Sequence, residues 1–66
     1  MEVIVNGKAE QVPEGTTLRE LIERVGLARA ACAAEVNTRL VPRREHESTP
    51  LAGGDRVELV TLVGGG

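Results

Sequence analysis

Apolar and polar positions change period along the chain, and each change marks an element. Glu2-Val3-Ile4-Val5 is a short β-branched run followed by Asn6-Gly7. Asn-Gly is the strongest two-residue hairpin signal, because both residues tolerate positive φ. Lys8 to Val12 therefore reads as the returning strand, stopped by Pro13-Glu14-Gly15. The period then turns helical: Leu18, Leu21, Ile22 and Val25 fall at i, i+3, i+4 and i+7 and make one apolar stripe. Thr17 with Glu20 three residues on forms a capping box at its start, and Gly26 is placed to end it as the first residue past the cap.

The stretch Ala30 to Val36 is open to two readings, since its alanines suit a helix as well. Two features favour a strand. Cys32, Ala34 and Val36 alternate with Ala33 and Glu35, and Asn37-Thr38 has the composition of a tight turn before Leu40-Val41. Pro42 ends that segment, because proline donates nothing to a ladder. Arg43 to Thr49 is polar and irregular, and Pro50 to Asp55 is a turn-rich lead into a last strand, Arg56 to Leu62. A hairpin, one helix with a single apolar stripe, short strands and a last strand predict an α+β fold in two layers. The sheet is mixed, with about four to five strands, and the helix lies across one face.

Parity carries that picture further. If Val3, Val5, Val57 and Leu59 face the helix, alternation sends Ile4, Val60 and Leu62 to the opposite face. A single helix covers a single face, so those three are expected to form an apolar patch open to solvent, of the kind that marks partner sites. Scattered surface aliphatics, which need no explanation, are the other reading.

Composition narrows the function classes. At 66 residues there is room for one domain and none for a deep catalytic cleft. Aromatic residues are absent, so nothing can stack on bases or sugars. The 8 basic and 10 acidic residues are mixed along the chain, which argues against nucleic acid as a partner. Cys32 is the single cysteine and forms no internal disulfide, and no grouping offers metal spacing. With no signal-peptide or membrane-spanning pattern, a cytoplasmic protein is the expectation.

Candidate chemistry inside the body is sparse, and the chain is not expected to be an enzyme. His46, the only histidine, sits among charges and is expected to be solvated. Cys32 is expected on the inward face as a small hydrophobe, inert for want of a neighbouring cation. Asp55 reads as a turn residue, and Gly53-Gly54 does not open a helix and is no phosphate loop. That leaves the tail, Val63-Gly64-Gly65-Gly66, divided from a body of residues 1–62. Fully extended, it reaches at most about 13–14 Å, the depth of a pocket on another protein. Ordering it costs roughly 1–2 kcal/mol per residue, which a docking surface elsewhere would have to offset. Its reactive group is the Gly66 α-carboxylate, a poor acyl donor until an oxygen becomes a leaving group, so activation by ATP as an acyl-adenylate is the natural chemistry. An activated terminus and a frayed end without a role both remain open, with the first ahead.

The chain resembles the ThiS/MoaD family of ubiquitin-like β-grasp proteins, and within it the thiamine-biosynthesis sulfur carriers. The likeness runs through Thr17-Leu18-Arg19-Glu20-Leu21-Ile22, Val36-Asn37-Thr38-Arg39-Leu40-Val41-Pro42-Arg43, Leu51-Ala52-Gly53-Gly54-Asp55-Arg56-Val57-Glu58 and the terminal Gly65-Gly66. It implies that the last strand lies beside the first, in parallel, at the sheet centre. It also implies a sulfur carrier: a ThiF-like adenylyltransferase would adenylate Gly66 with ATP and magnesium. Sulfur from a persulfide donor would then replace AMP to give a C-terminal thiocarboxylate. A ThiG-like thiazole synthase would accept that sulfur. Gly66 is then the covalent carrier site, Gly65 and Gly64 provide clearance, and the chain itself, a monomer when free, binds no cofactor or metal. Relatives often place a large aromatic where His46 stands, and an acidic residue or asparagine where Gly53 stands.

Other readings share the tail chemistry. A carrier for tRNA thiolation or molybdopterin, or a ubiquitin-like protein modifier, would differ only in the acceptor, although molybdopterin synthase small subunits tend to be longer and richer in aromatics. A plain interaction module with an inert tail is the alternative of another class.

Overall fold

The computed structural model describes residues 1–28 and 31–61. Strand β1 (Glu2–Val5) turns at Asn6 and Gly7, whose φ angles of 49° and 83° place both in the left-handed region. The chain returns antiparallel as β2 (Lys8–Gln11), in a register that sets Val5 against Lys8 and Glu2 against Gln11. Val12, just past β2, is buried and donates its N–H to the Met1 carbonyl, so pairing outlasts the strand by one residue.

Helix α1 (Leu18–Arg24) begins at the expected capping box: the Thr17 hydroxyl accepts from Glu20 N–H, and a Glu20 carboxylate oxygen accepts from Thr17 N–H. The other free donors of its first turn are satisfied from a distance. Leu18 N–H reaches the Thr49 carbonyl at 2.8 Å and Arg19 N–H the His46 carbonyl at 3.1 Å. A helix start needs such partners because its first N–H groups have none within the helix. At the other end Gly26, at φ 85°, closes the helix: its N–H bonds Glu23 and the N–H of Leu27 bonds Ile22. That pair of bonds is the Schellman closure, which a glycine past the cap makes easy.

The ambiguous stretch is a strand, β3 (Cys32–Val36), with Ala30 outside the described residues. Asn37 and Thr38, at φ 52° and 70°, turn it into β4 (Arg39–Val41). The last strand, β5 (Arg56–Thr61), runs parallel to β1 and antiparallel to β3. The sheet order is β2-β1-β5-β3-β4, so the C-terminal strand is central, as the family resemblance implied.

Leu18, Leu21 and Ile22 of α1 pack on the sheet face carrying Val3, Val5, Ala34, Val57 and Leu59, with Val12 and Leu51 closing the core. Full burial of one such side chain contributes roughly 1.5–3 kcal/mol. Cys32, Val25, Val36 and Val41 pack partly buried around this cluster.

The stretch expected to be polar and irregular is more ordered than its composition suggests. Arg43–Glu45 forms a turn of 3-10 helix after Pro42, and His46, expected to be solvated, is only 6% exposed. The correction has a physical cause. A histidine bonded through one ring nitrogen can be buried like an aromatic residue, and here Nε2 lies 3.0 Å from the Val41 carbonyl. Thr16 and Leu51 complete the seam, with Leu51 N–H bonded to the Thr16 carbonyl at 2.9 Å.

Candidate functional site

β5 is held by one asparagine on each side. At its start, Asn37 N–H donates to the Arg56 carbonyl at 2.7 Å, and Asn37 Oδ1 accepts from Arg56 N–H at 2.9 Å. Asn37 Nδ2 also donates to Asp55 Oδ1, whose Oδ2 accepts from Ala52 N–H at 2.8 Å, so Asp55 acts in the turn as expected. Toward its end, the Asn6 carboxamide meets both backbone groups of Leu59: Oδ1 accepts from its N–H at 2.8 Å and Nδ2 donates to its carbonyl at 3.2 Å. Thr61, opposite Cys32, is the last described residue, so Leu62, Gly64, Gly65 and Gly66 lie outside the described residues.

The face away from α1 follows the expected parity. Glu2, Ile4, Arg56, Glu58 and Val60 alternate with the buried Val3, Val5, Val57 and Leu59. Ile4 is half-buried and Val60 is 59% exposed. The two share the face without touching as one patch. Ile4 pairs with Arg56, four positions before Val60, so roughly 13 Å of strand carrying Glu58 separates them.

One apolar contributor escaped the sequence reading. Leu40 is 70% exposed and pairs with Glu35, which pairs in turn with Glu58, so it belongs to the same open face. The signal was available in the alternation of Leu40 with Val41, but only the β3–β4 register tells which of the two faces outward. Ala33 stands opposite Val60 and extends the apolar surface around it. Glu35 and Glu58 are both exposed and directly opposed, an arrangement that costs a few tenths of a kcal/mol.

On the helix side, a cleft of about 160 Å³ is lined by Arg19, Ile22, Glu23, Leu27, Cys32 and His46 among others. Arg19 is already engaged by Glu23 at 3.5 Å and Glu47 at 2.8 Å. Arg43 lines the same cleft. The thiol is directed to the Ala33 carbonyl at 3.6 Å. Among the described residues, no three His, Cys, Asp or Glu side chains gather in a metal-binding group, and no helix is long and apolar enough to cross a membrane. The described body therefore offers a surface and a central strand leading to the chain end.

Comparison with known proteins fits that geometry. The model of the ThiS family matches residues 2–66. The sulfur carrier protein ThiS of Escherichia coli K12 is 30% identical over 66 residues, all of both chains. A thiazole synthase of Paramagnetospirillum magneticum is 27% identical to the whole chain, which spans 20% of that protein. Among solved structures, the crystal structure of the thiamine biosynthesis protein ThiS from Geobacter metallireducens superposes with a TM-score of 0.83 at 32% identity, covering all of both chains.

Proposed function

The chain belongs to the ThiS family, and from that premise we infer that it is a sulfur carrier for the thiazole step of thiamine biosynthesis, a protein that other enzymes act upon. The observation that carries this reading is the end-to-end likeness to the Escherichia coli carrier, with neither chain left over. A carrier needs a rigid body, a surface for its partners and an end that can be delivered. Residues 1–62 supply the body in this reading, and residues 63–66 the delivered tail.

The chemistry runs through Gly66. Its carboxylate attacks the α-phosphorus of ATP on a ThiF-like adenylyltransferase, and pyrophosphate leaves with the magnesium held by that enzyme. The terminal sulfur of a persulfide donor attacks the acyl carbon and AMP departs. A second thiol then resolves the acyl disulfide to a thiocarboxylate and a disulfide. Gly65 and Gly64 lack Cβ atoms and so let the terminus pass nucleotide and catalytic groups at close range. The thiocarboxylate sulfur is a nucleophile that travels without release of free sulfide.

Thiazole synthase is the acceptor in this scheme. A segment like this chain makes up a fifth of a protein bearing that name, and joining carrier to acceptor in one polypeptide raises their effective concentration. The open face, with Ile4, Val60 and the exposed Leu40, serves as the docking surface in this reading, and Leu62, expected to join it, lies outside the described residues. The reading places the carrier in the cytoplasm, a monomer between encounters.

The test is the intact mass of the protein after incubation with its adenylating enzyme, ATP, magnesium and a persulfide donor. Exchange of one terminal oxygen for sulfur is expected, and removal of Gly65-Gly66 is expected to abolish both that exchange and ATP–pyrophosphate exchange. An unchanged mass with a competent adenylating enzyme would sink the carrier reading.

A further inference from the structure

The peptide groups of a parallel ladder must be matched in order. Between β1 and β5 the ladder runs regularly as far as β1 lasts: Ile4 N–H donates to the Asp55 carbonyl and Asn6 N–H to the Val57 carbonyl, each at 2.9 Å. The next two bonds in sequence would be Leu59 N–H to the Asn6 carbonyl, and the N–H of residue 8 to the Leu59 carbonyl. Neither backbone group can serve, because Asn6 at φ 49° has begun the turn and Lys8 is already pairing in β2. The Asn6 carboxamide takes both places, with Oδ1 for the missing carbonyl and Nδ2 for the missing amide, at 2.8 and 3.2 Å. One side chain stands in for a whole peptide unit.

We propose that Asn6 is a positioning residue for the carrier reaction: its carboxamide continues the central ladder past the end of β1 and thereby holds the outgoing strand from which the reactive terminus is delivered. The proposal rests on the carrier reading above. Leu59 is seven residues from Gly66, a reach of at most about 25 Å. On the β3 side β5 remains paired out to Thr61. On the β1 side only the Asn6 carboxamide engages it beyond Val57 among the described residues. Without the clamp, the end of β5 is hydrogen-bonded from one side alone, through β3, and is left to the packing of Leu59 on the other. Catalysis on a delivered group depends on how often that group arrives in the productive pose.

The Asn37 side chain makes the same kind of substitution at the opposite end of β5, where it accepts from Arg56 N–H. It therefore provides the control. Asn6→Gly and Asn37→Gly both keep a residue that tolerates positive φ and both remove a carboxamide that completes the ladder. Only the first acts at the end that leads to Gly66.

The experiment compares the wild-type carrier with these two variants, at a temperature where circular dichroism shows each fully folded. Asn6→Gly is expected to speed hydrogen exchange at the Leu59 amide about tenfold, with Val3 and Val5 protection retained. It is also expected to lower kcat/KM for ATP–pyrophosphate exchange with the adenylating enzyme about tenfold, mainly in kcat. Asn6→Asp, which keeps the acceptor for Leu59 N–H but sets an anionic oxygen against its carbonyl, is expected to fall between. Asn37→Gly is expected to lose stability and keep its exchange kinetics. Unchanged Leu59 protection in Asn6→Gly, kinetics within twofold of wild type, or an equal kinetic loss in Asn37→Gly would each overturn the proposal. A wild-type carrier that is not adenylated would instead refute the carrier reading, while the Leu59 exchange result still judges the clamp.

Discussion

The buried imidazole of His46 has Nε2 3.0 Å from the Val41 carbonyl, while the His46 carbonyl accepts the N–H of Arg19, in the first turn of α1, at 3.1 Å. Because a carbonyl only accepts, Nε2 carries the proton in this contact. The residue thus ties the end of β4 to the start of the helix. His46→Ala is expected to destabilise the protein by about 2 kcal/mol, through the cavity and the lost bond together. His46→Phe keeps the packing and loses only the bond, at about 1 kcal/mol. Urea midpoints measured on the two variants check the order; equal losses would contradict a packing role.

The start of α1 has a partner for each N–H of its first turn, and the capping box supplies one of them. Thr17→Ala is expected to cost about 1 kcal/mol, and Thr17→Ser only a fraction of that. The same denaturation series measures this. Exchange protection at Glu20 should fall before that of Leu21, whose N–H bonds the Thr17 carbonyl and not the side chain.

Gly26 sits at φ 85° with nothing within 4 Å of where a Cβ would stand. Space is therefore no obstacle, and the cost of a side chain is conformational. Gly26→Ala is expected to lower stability by about 1–2 kcal/mol, and Gly26→Asn by less, since asparagine enters the left-handed region more readily. A neutral Gly26→Ala would contradict the closure described for the helix end.

Among the described residues, Val60 and Leu40 are the large apolar residues most exposed on the open face. Val60→Asp is expected to weaken binding to the adenylating enzyme at least about tenfold while leaving the urea midpoint nearly unmoved, as an exposed site should. Leu40→Asp, two strands away, tests how far the docking surface extends. Calorimetric titration reads both, and unchanged affinity in Val60→Asp would remove this face from the interface.

Much of this architecture is local in origin and could be read directly. The Asn6-Gly7 turn, the Thr17–Glu20 box, the apolar stripe from Leu18 to Val25 and the Gly26 closure each depend on residues within a few positions of one another. Their geometry is nearly independent of the rest of the chain, so spacing alone identifies them. Alternation likewise assigned the buried set Val3, Val5, Val57 and Leu59, because a strand side chain has only two faces to choose between. The Gly64-Gly65-Gly66 tail, by contrast, left an activated terminus and a frayed end both open by residue type, and the sulfur-carrier reading came from the resemblance of the chain to its family.

What needed the assembled molecule was every relation between distant segments. His46 looked like a solvated side chain among charges until Val41 and the start of α1 closed around it, since burial depends on what arrives from elsewhere. Leu40 joined the open face only through the β3–β4 register, and Ile4 proved to be parted from Val60 by Glu58 through the β1–β5 register. Asn6 shows the difference most plainly. Its positive φ was evident from the dipeptide, but its bond to Leu59, 53 residues away in sequence, exists only because the sheet brings the two strands side by side. Local backbone preference acts along the chain, whereas hydrogen-bond partnership and burial are set by neighbours in space.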